Sequence, residues 1–243
     1  MIGVLRSELV KQRSTRTTLL LFAAMFALVA FAVALHVLAL GADQLSTRSH
    51  QLEVFQVGTR AGMLFAGLIG VIAFTAEVRY GTIRPTFLVT PRRGRVITAK
   101  LAVSGFAGIA FGLVAEALMA AAAGVAFAAR GIENELTASD YLQLLVGGAA
   151  AAALWAAIGL GVGAVIRNQV GAVVGLCVWI LLVESTSDTF VPGAARFLPG
   201  GVALTLAGNV DDLSVAVAAL VLVLYAAATL AAGLIATLGR DVA

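Results

Sequence analysis

Ionisable side chains are scarce in this sequence, and many gather in one stretch. Residues 77–100, EVRYGTIRPTFLVTPRRGRVITAK, hold Arg79, Arg84, Arg92, Arg93, Arg95 and Lys100 against a single carboxylate, Glu77. Phe87, Leu88 and Val89 between two basic flanks suit a segment that lies at a membrane surface and offers apolar side chains to something outside the bilayer. Glu116 stands alone in a long apolar run. A carboxyl at that depth is costly and marks a candidate functional group with a partner. His36, about seventeen residues into its own run, has a similar depth, so a Glu116–His36 contact is expected. The alternative is a protonated Glu116 hydrogen-bonded at a helix interface.

Other chemistry is excluded. The only histidines, His36 and His50, have no cysteine or carboxylate cluster around them, so no metal site is expected. Cys177 is the one cysteine and cannot form an intrachain disulfide. There is no GxxxxGK[ST] phosphate loop, no HExxH and no GxSxG, and no catalytic residue is assigned. If ATP is used, another polypeptide handles it.

The elements that must position these residues are membrane helices. Hydrophobic residues make up 61% of the 243-residue chain and charged ones 12%, about half the roughly 25% of a soluble domain. The apolar runs are unbroken rather than alternating, which selects helices over barrel strands. Residues 1–243 therefore read as one all-α transmembrane domain with spans at 19–40, 59–76, 101–129, 142–166, 170–183 and 213–238. The first run is longer than the roughly 7–15 residues of a signal-peptide core and is expected to remain as a span.

Six spans place both termini on one side. That side carries Arg6, Lys11, Arg13, Arg16, the six bases of 79–100, Arg167 and Arg240, twelve bases against the acids Glu8, Glu77 and Asp241. The opposite side carries Arg48, Arg60, Arg130 and Arg196, four bases against nine acids. The positive-inside rule makes the first side, with both termini and residues 77–100, cytoplasmic.

Local signals refine this plan. In residues 2–16, Ile2, Leu5 and Leu9 recur at helical spacing among bases, as in a helix lying flat at the interface; an ordinary positive flank is the alternative. Gly81 breaks the second span, Thr82 caps a short helix over 82–90, Pro85 is tolerated in its first turn and Pro91 ends it. Span five, about 14 residues, is short for a bilayer. The segment 184–212, with its Pro-Gly pairs, reads as a re-entrant or interfacial piece on the outer side, a surface loop being the alternative. Gly105, Gly108 and Gly112 share a helical stripe with Glu116, and Gly62, Ala66 and Gly70 share another, both close-packing faces.

The run Glu77-x-Arg79-x-Gly81-Thr82-Ile83-Arg84, then Pro91-Arg92-Arg93-Gly94-Arg95 and Ala99-Lys100, resembles the permease subunits of type-2 ATP-binding-cassette exporters. The opening Leu5-Arg6-Ser7-Glu8-Leu9-Val10-Lys11 resembles their N-terminal connecting helix. The resemblance implies a permease without ATPase activity of its own, paired with a second permease copy, identical or different, and with separate ATPase subunits that hold ATP and Mg. Residues 82–90 would be the coupling helix, with Phe87 and Leu88 as apolar anchors and the neighbouring bases on ATPase acids or lipid headgroups. Cargo would pass along spans one, two and five. Fourteen arginines against two lysines hint at a GC-rich bacterial genome, hence a bacterial inner membrane. No nucleic-acid partner is expected, because the bases mark one side of a membrane rather than a groove for a polyanion. Two rivals stand beside this reading. A self-contained proton-coupled transporter would use Glu116; an intramembrane enzyme would need Glu77, Arg79, His36 and Glu116 to converge.

Overall fold

A computed structural model of the chain describes residues 2–39, 45–89, 93–208 and 213–239. Their regular elements are all helices, with no strand among the described residues. The order is α1 (Ile2–Ser14), α2 (Arg16–Ala39), α3 (Arg48–Arg79), α4 (Ile83–Val89), α5 (Arg93–Arg130), α6 (Ala138–Ile166), α7 (Gln169–Phe190), α8 (Pro199–Leu206) and α9 (Val215–Leu238). Six of them, α2, α3, α5, α6, α7 and α9, are long and apolar enough to cross a membrane. In lipid a helix satisfies its own backbone polar groups, so long apolar runs have no other open-chain option.

The long helices alternate in direction between two ends. One end gathers Lys11, Arg79, Lys100 and Arg167 (the basic end); the other holds Arg48, Glu133, Glu135 and Asp140 (the acidic end). Pairing across the ends fixes the alternation. Arg48 at the start of α3 bonds Asp140 at the start of α6, while Arg167 at the end of α6 donates to the Ala236 carbonyl near the end of α9.

α3 and α6 form the centre, with α5 against both. Their approach depends on glycine: a Cβ on Gly70 would overlap the Ala156 carbonyl, and one on Gly159 the Gly67 carbonyl. Trp155, 1% exposed, fills the middle of this packing. Phe111 of α5 stacks on Phe22 of α2 at 3.9 Å between ring centres, with Phe65 of α3 at 6.4 Å. That aromatic layer ties the first span to the core. Leu19, Leu20, Leu220 and Leu224 point outward, as lipid-facing positions do.

Helix limits differ from those read in the sequence where polar residues find partners. α3 begins at Arg48 rather than residue 59. Its Gln51, fully buried, donates to the carbonyls of Leu45 and Glu133 and accepts from Glu135 N–H. The fifth span is not a short helix ending at residue 183. α7 runs 22 residues to Phe190 through a π turn at Trp179–Val183. The hydroxyls of Ser185, Thr186 and Ser187 donate to the carbonyls of Leu181, Leu182 and Glu184, so the polar run stays helical by bonding its own backbone. Beyond it, a turn at Ala195–Phe197 leads into α8, whose Val202 and Ala203 are fully buried against the helices. Residues 209–212, the end of the expected outer segment, lie outside the described residues.

Candidate functional site

α1 runs against the usual pattern of an amphipathic helix: Leu9 and Val10 are exposed, whereas Glu8 is 5% exposed. Its polar face meets the bundle because the bundle offers charge in return. Lys100, seven residues into α5, donates to Glu8 Oε2 at 2.7 Å, to the Ala73 carbonyl at 3.0 Å, and lies 2.8 Å from Glu77 Oε1. Lys11 closes the ring, 2.7 Å from Glu8 Oε1 and 2.6 Å from Glu77 Oε1. Two carboxylates and two ammoniums alternate, so the cluster is neutral overall. Three members are buried, and only Lys11, with 43% of its side chain exposed, reaches outward. Desolvation lowers the Lys11 pKa, but bonds to and attraction from Glu77 and Glu8 outweigh it and hold it above the ordinary lysine value.

This ring pins α1 to the basic ends of α3 and α5, the helices on which α4 is mounted. The chain leaves α3 through Gly81, whose φ of +69° lies in the left-handed region that glycine adopts without steric cost. Thr82 N–H bonds back to the Glu77 carbonyl at 2.9 Å, its hydroxyl also points there, and Thr82 O accepts from Thr86 N–H at the start of α4. α4 then presents Leu88 and Val89, 80% and 84% exposed, with Tyr80 at 72% beside it. Arg79 lies over the Tyr80 ring and donates to Gln169 Oε1 at 3.3 Å. The turn between α6 and α7 is thereby linked to the same corner. That turn takes two residues: Arg167 in the left-handed region at φ 54°, then Asn168, whose Oδ1 accepts from Gly171 N–H. Pro91 and Arg92 lie outside the described residues, as do the side chains of Arg84, Phe87 and Arg93.

The Glu116–His36 contact is not formed. Glu116, 3% exposed, accepts a hydrogen bond from Thr59 Oγ1 at 2.6 Å. Gly58 and Gly148 cradle it from α3 and α6: a Cβ on Gly148 would stand 2.7 Å from Oε1. His36 instead bonds the Ala32 carbonyl of its own helix through Nδ1 at 2.8 Å. Equal depth was not enough, because the Gly108–Gly112 stripe turns that face of α5 toward α6, not toward α2. Gly105, read as part of the stripe, meets nothing within 4 Å. Glu116 is also sixteen residues from Lys100 on α5, about 24 Å along the axis, so it belongs to the acidic half and not to the centre. Glu77, Arg79, His36 and Glu116 hence have separate partners and do not assemble one catalytic site.

Reading from sequence missed Glu8, Lys11 and Lys100 as a unit, and Thr59 as the partner of Glu116. A faint signal existed for the first: Glu8 and Lys11 are three apart on one helix face, and Lys100 opens an apolar run where a lone lysine needs a counter-ion.

The model of the ABC-2 family transporter protein matches residues 4–184, from α1 into α7 and across both the ring and α4. No curated protein matches the chain. With three-quarters of its length matched and six helices able to cross a membrane, the chain belongs to the ABC-2 transporter family, as a multi-pass membrane permease.

Proposed function

We propose that this permease is the membrane-spanning half of an ATP-driven exporter, working in a pair and driven by separate ATPase subunits that carry the ATP and Mg. The observation that carries this reading is α4: a short helix with Leu88 and Val89 exposed, mounted on the ends of two of the longest helices of the chain. Apolar side chains held out from a basic surface suit a protein groove rather than water. The charge count of the sequence supports a cytoplasmic position for that end, the side on which an ATPase would reside.

Mechanically, a load on α4 reaches α3 and α5 directly. The Glu8–Lys11–Glu77–Lys100 ring makes α1 move with them, and the Arg79–Gln169 bond carries the motion to the α6–α7 corner. Rigid-body tilting of the packed α3–α5–α6 unit then changes the space between α2, α3 and α7. A cavity of about 400 Å³ lies there, and we assign it to the cargo path. A bacterial cytoplasmic membrane is the setting that this reading requires.

The experiment is co-expression of the chain with a candidate ATPase subunit, followed by co-purification. Leu88→Asp with Val89→Asp is expected to abolish association while membrane insertion persists. Undiminished association of the double variant would overturn the docking role of α4.

A further inference from the structure

The cavity between α2, α3, α7 and α8 has one feature that its mostly apolar wall does not require. Arg60 projects into it from α3, exposed, and among the described residues no carboxylate lies within salt-bridge distance of it. Glu184 lines the same cavity and attracts Arg60 at longer range. Its carboxylate is held back at the α7–α8 corner, where Oε1 accepts from Trp179 Nε1 at 2.7 Å and from Gly200 N–H at 3.0 Å. The missing side chain of Gly200 leaves the room that Glu184 Oε2 occupies, since a Cβ there would displace the carboxylate. The guanidinium is therefore left with its fork of donors turned to the cavity.

Depth gives the second half of the argument. Arg60 is seventeen residues above Glu77 on α3, about 25 Å along the axis. A charged ring at the basic end belongs at one boundary of a hydrocarbon layer about 30 Å thick, so Arg60 stands just inside the opposite boundary. Met63 and Leu64 follow it on α3 toward the basic end, and Leu28 and Leu204 add to the apolar wall. One cation at headgroup level above an apolar, half-open cavity matches an amphiphile with an anionic head.

We propose that this cavity is a binding site for a phosphate-bearing amphiphile, with the phosphate on Arg60 and the hydrocarbon against Leu28, Met63, Leu64 and Leu204. This deepens the assignment of the cavity to the cargo path, but it needs only the membrane fold and not the ATPase, so the two can fail separately.

The two tryptophans make the test direct. Trp155 is buried, whereas Trp179 is 39% exposed and bonds Glu184 at the cavity wall. The full chain is reconstituted in phosphatidylcholine vesicles, and tryptophan quenching is titrated with dibrominated phosphatidylglycerol or dibrominated phosphatidylcholine. The anionic lipid is expected to associate about fivefold more tightly. Arg60→Gln should erase that preference and Arg60→Lys retain most of it. Ala32→Phe, which fills the cavity from α2 and leaves Arg60 in place, should also erase it. Equal quenching by both lipids overturns the site. So does a preference that survives Arg60→Gln, or one that survives Ala32→Phe, which would place the lipid on the outer surface. Displacement by free glycerol phosphate at low millimolar concentration would show that a soluble anion suffices, and would overturn the amphiphile.

Discussion

Lys100 Nζ lies 2.7 Å from Glu8 Oε2, although 92 positions separate the two residues in the chain. The contact joins a helix outside the bundle to one of its longest internal struts. Its neighbours explain why it forms. Lys100 is 3% exposed, and both of its carboxylate partners are nearly as buried, so each charge depends on the other three for the solvation it has lost. A surface pair would add little; a closed buried ring fixes geometry.

Removing one member should therefore cost more than removing an opposed pair. Lys100→Met is expected to destabilise the protein by about 3 kcal/mol, the low end for a broken buried pair, since Lys11 still touches both carboxylates. Glu8→Gln with Lys100→Met should cost less than the sum of the two single changes. Lys11→Ala, at the exposed corner, should cost about 1 kcal/mol or less. Apparent Tm in detergent reads all four variants, and simple additivity would show that the ring is not a unit.

Glu116 offers a steric test of its cradle. Gly148→Ala places a methyl carbon where Oε1 now packs, and crowding of that kind costs about 1–3 kcal/mol. Glu116→Ala alone loses the Thr59 bond, yet it should relieve the Gly148→Ala variant. Glu116→Gln keeps an acceptor for Thr59 and is expected to fold like the parent. Thermal unfolding of the single and double variants supplies the cycle. Failure of the second substitution to rescue the first would show that Gly148 is constrained by something other than the carboxyl.

Much of this architecture was legible in the residues. Long apolar runs can do little else in lipid than form helices, and the basic stretch at 77–100 pointed at once to α4. What escaped were contacts between residues far apart in sequence. Residues 2–16 read as a helix lying flat at the interface because nothing local shows that Glu8 turns inward and that Lys11 bridges it to Glu77. The polar run Glu184–Asp188 read as the end of a span because hydroxyls that bond their own helix look the same in sequence as hydroxyls that meet water. The Glu116–His36 expectation failed on rotation about the helix axis, which depth along the axis does not fix.

At the acidic end, Asp140 does two jobs. It accepts from Arg48 Nε at 3.2 Å and Nη2 at 2.5 Å, and from Thr137 N–H at 2.8 Å in the capping box of α6. Asp140→Ala loses both and should cost about 1–2 kcal/mol, mostly through the cap. Arg48→Ala, with its side chain half exposed, should cost about 1 kcal/mol or less. Apparent Tm measurements compare the two. An equal loss from both would assign the stability to the ion pair instead.

Orientation carries the whole reading of α4, and cysteine labelling decides it. Cys177 is the one native thiol, so Cys177→Ser gives a clean background in which to place single probes. Leu88→Cys sits on the exposed face of α4, and Ser139→Cys on the exposed start of α6 at the other end. In intact cells a membrane-impermeant maleimide should label the Ser139→Cys variant and spare the Leu88→Cys variant; inverted vesicles should reverse the pattern. Twelve bases at the α4 end against four at the other make this the expected result, because the rule counts positive charges flanking the spans. Labelling of the Leu88→Cys variant from outside would put α4 beyond the reach of any cytoplasmic ATPase, and the docking role would fall while the helical fold and the ring stood unchanged.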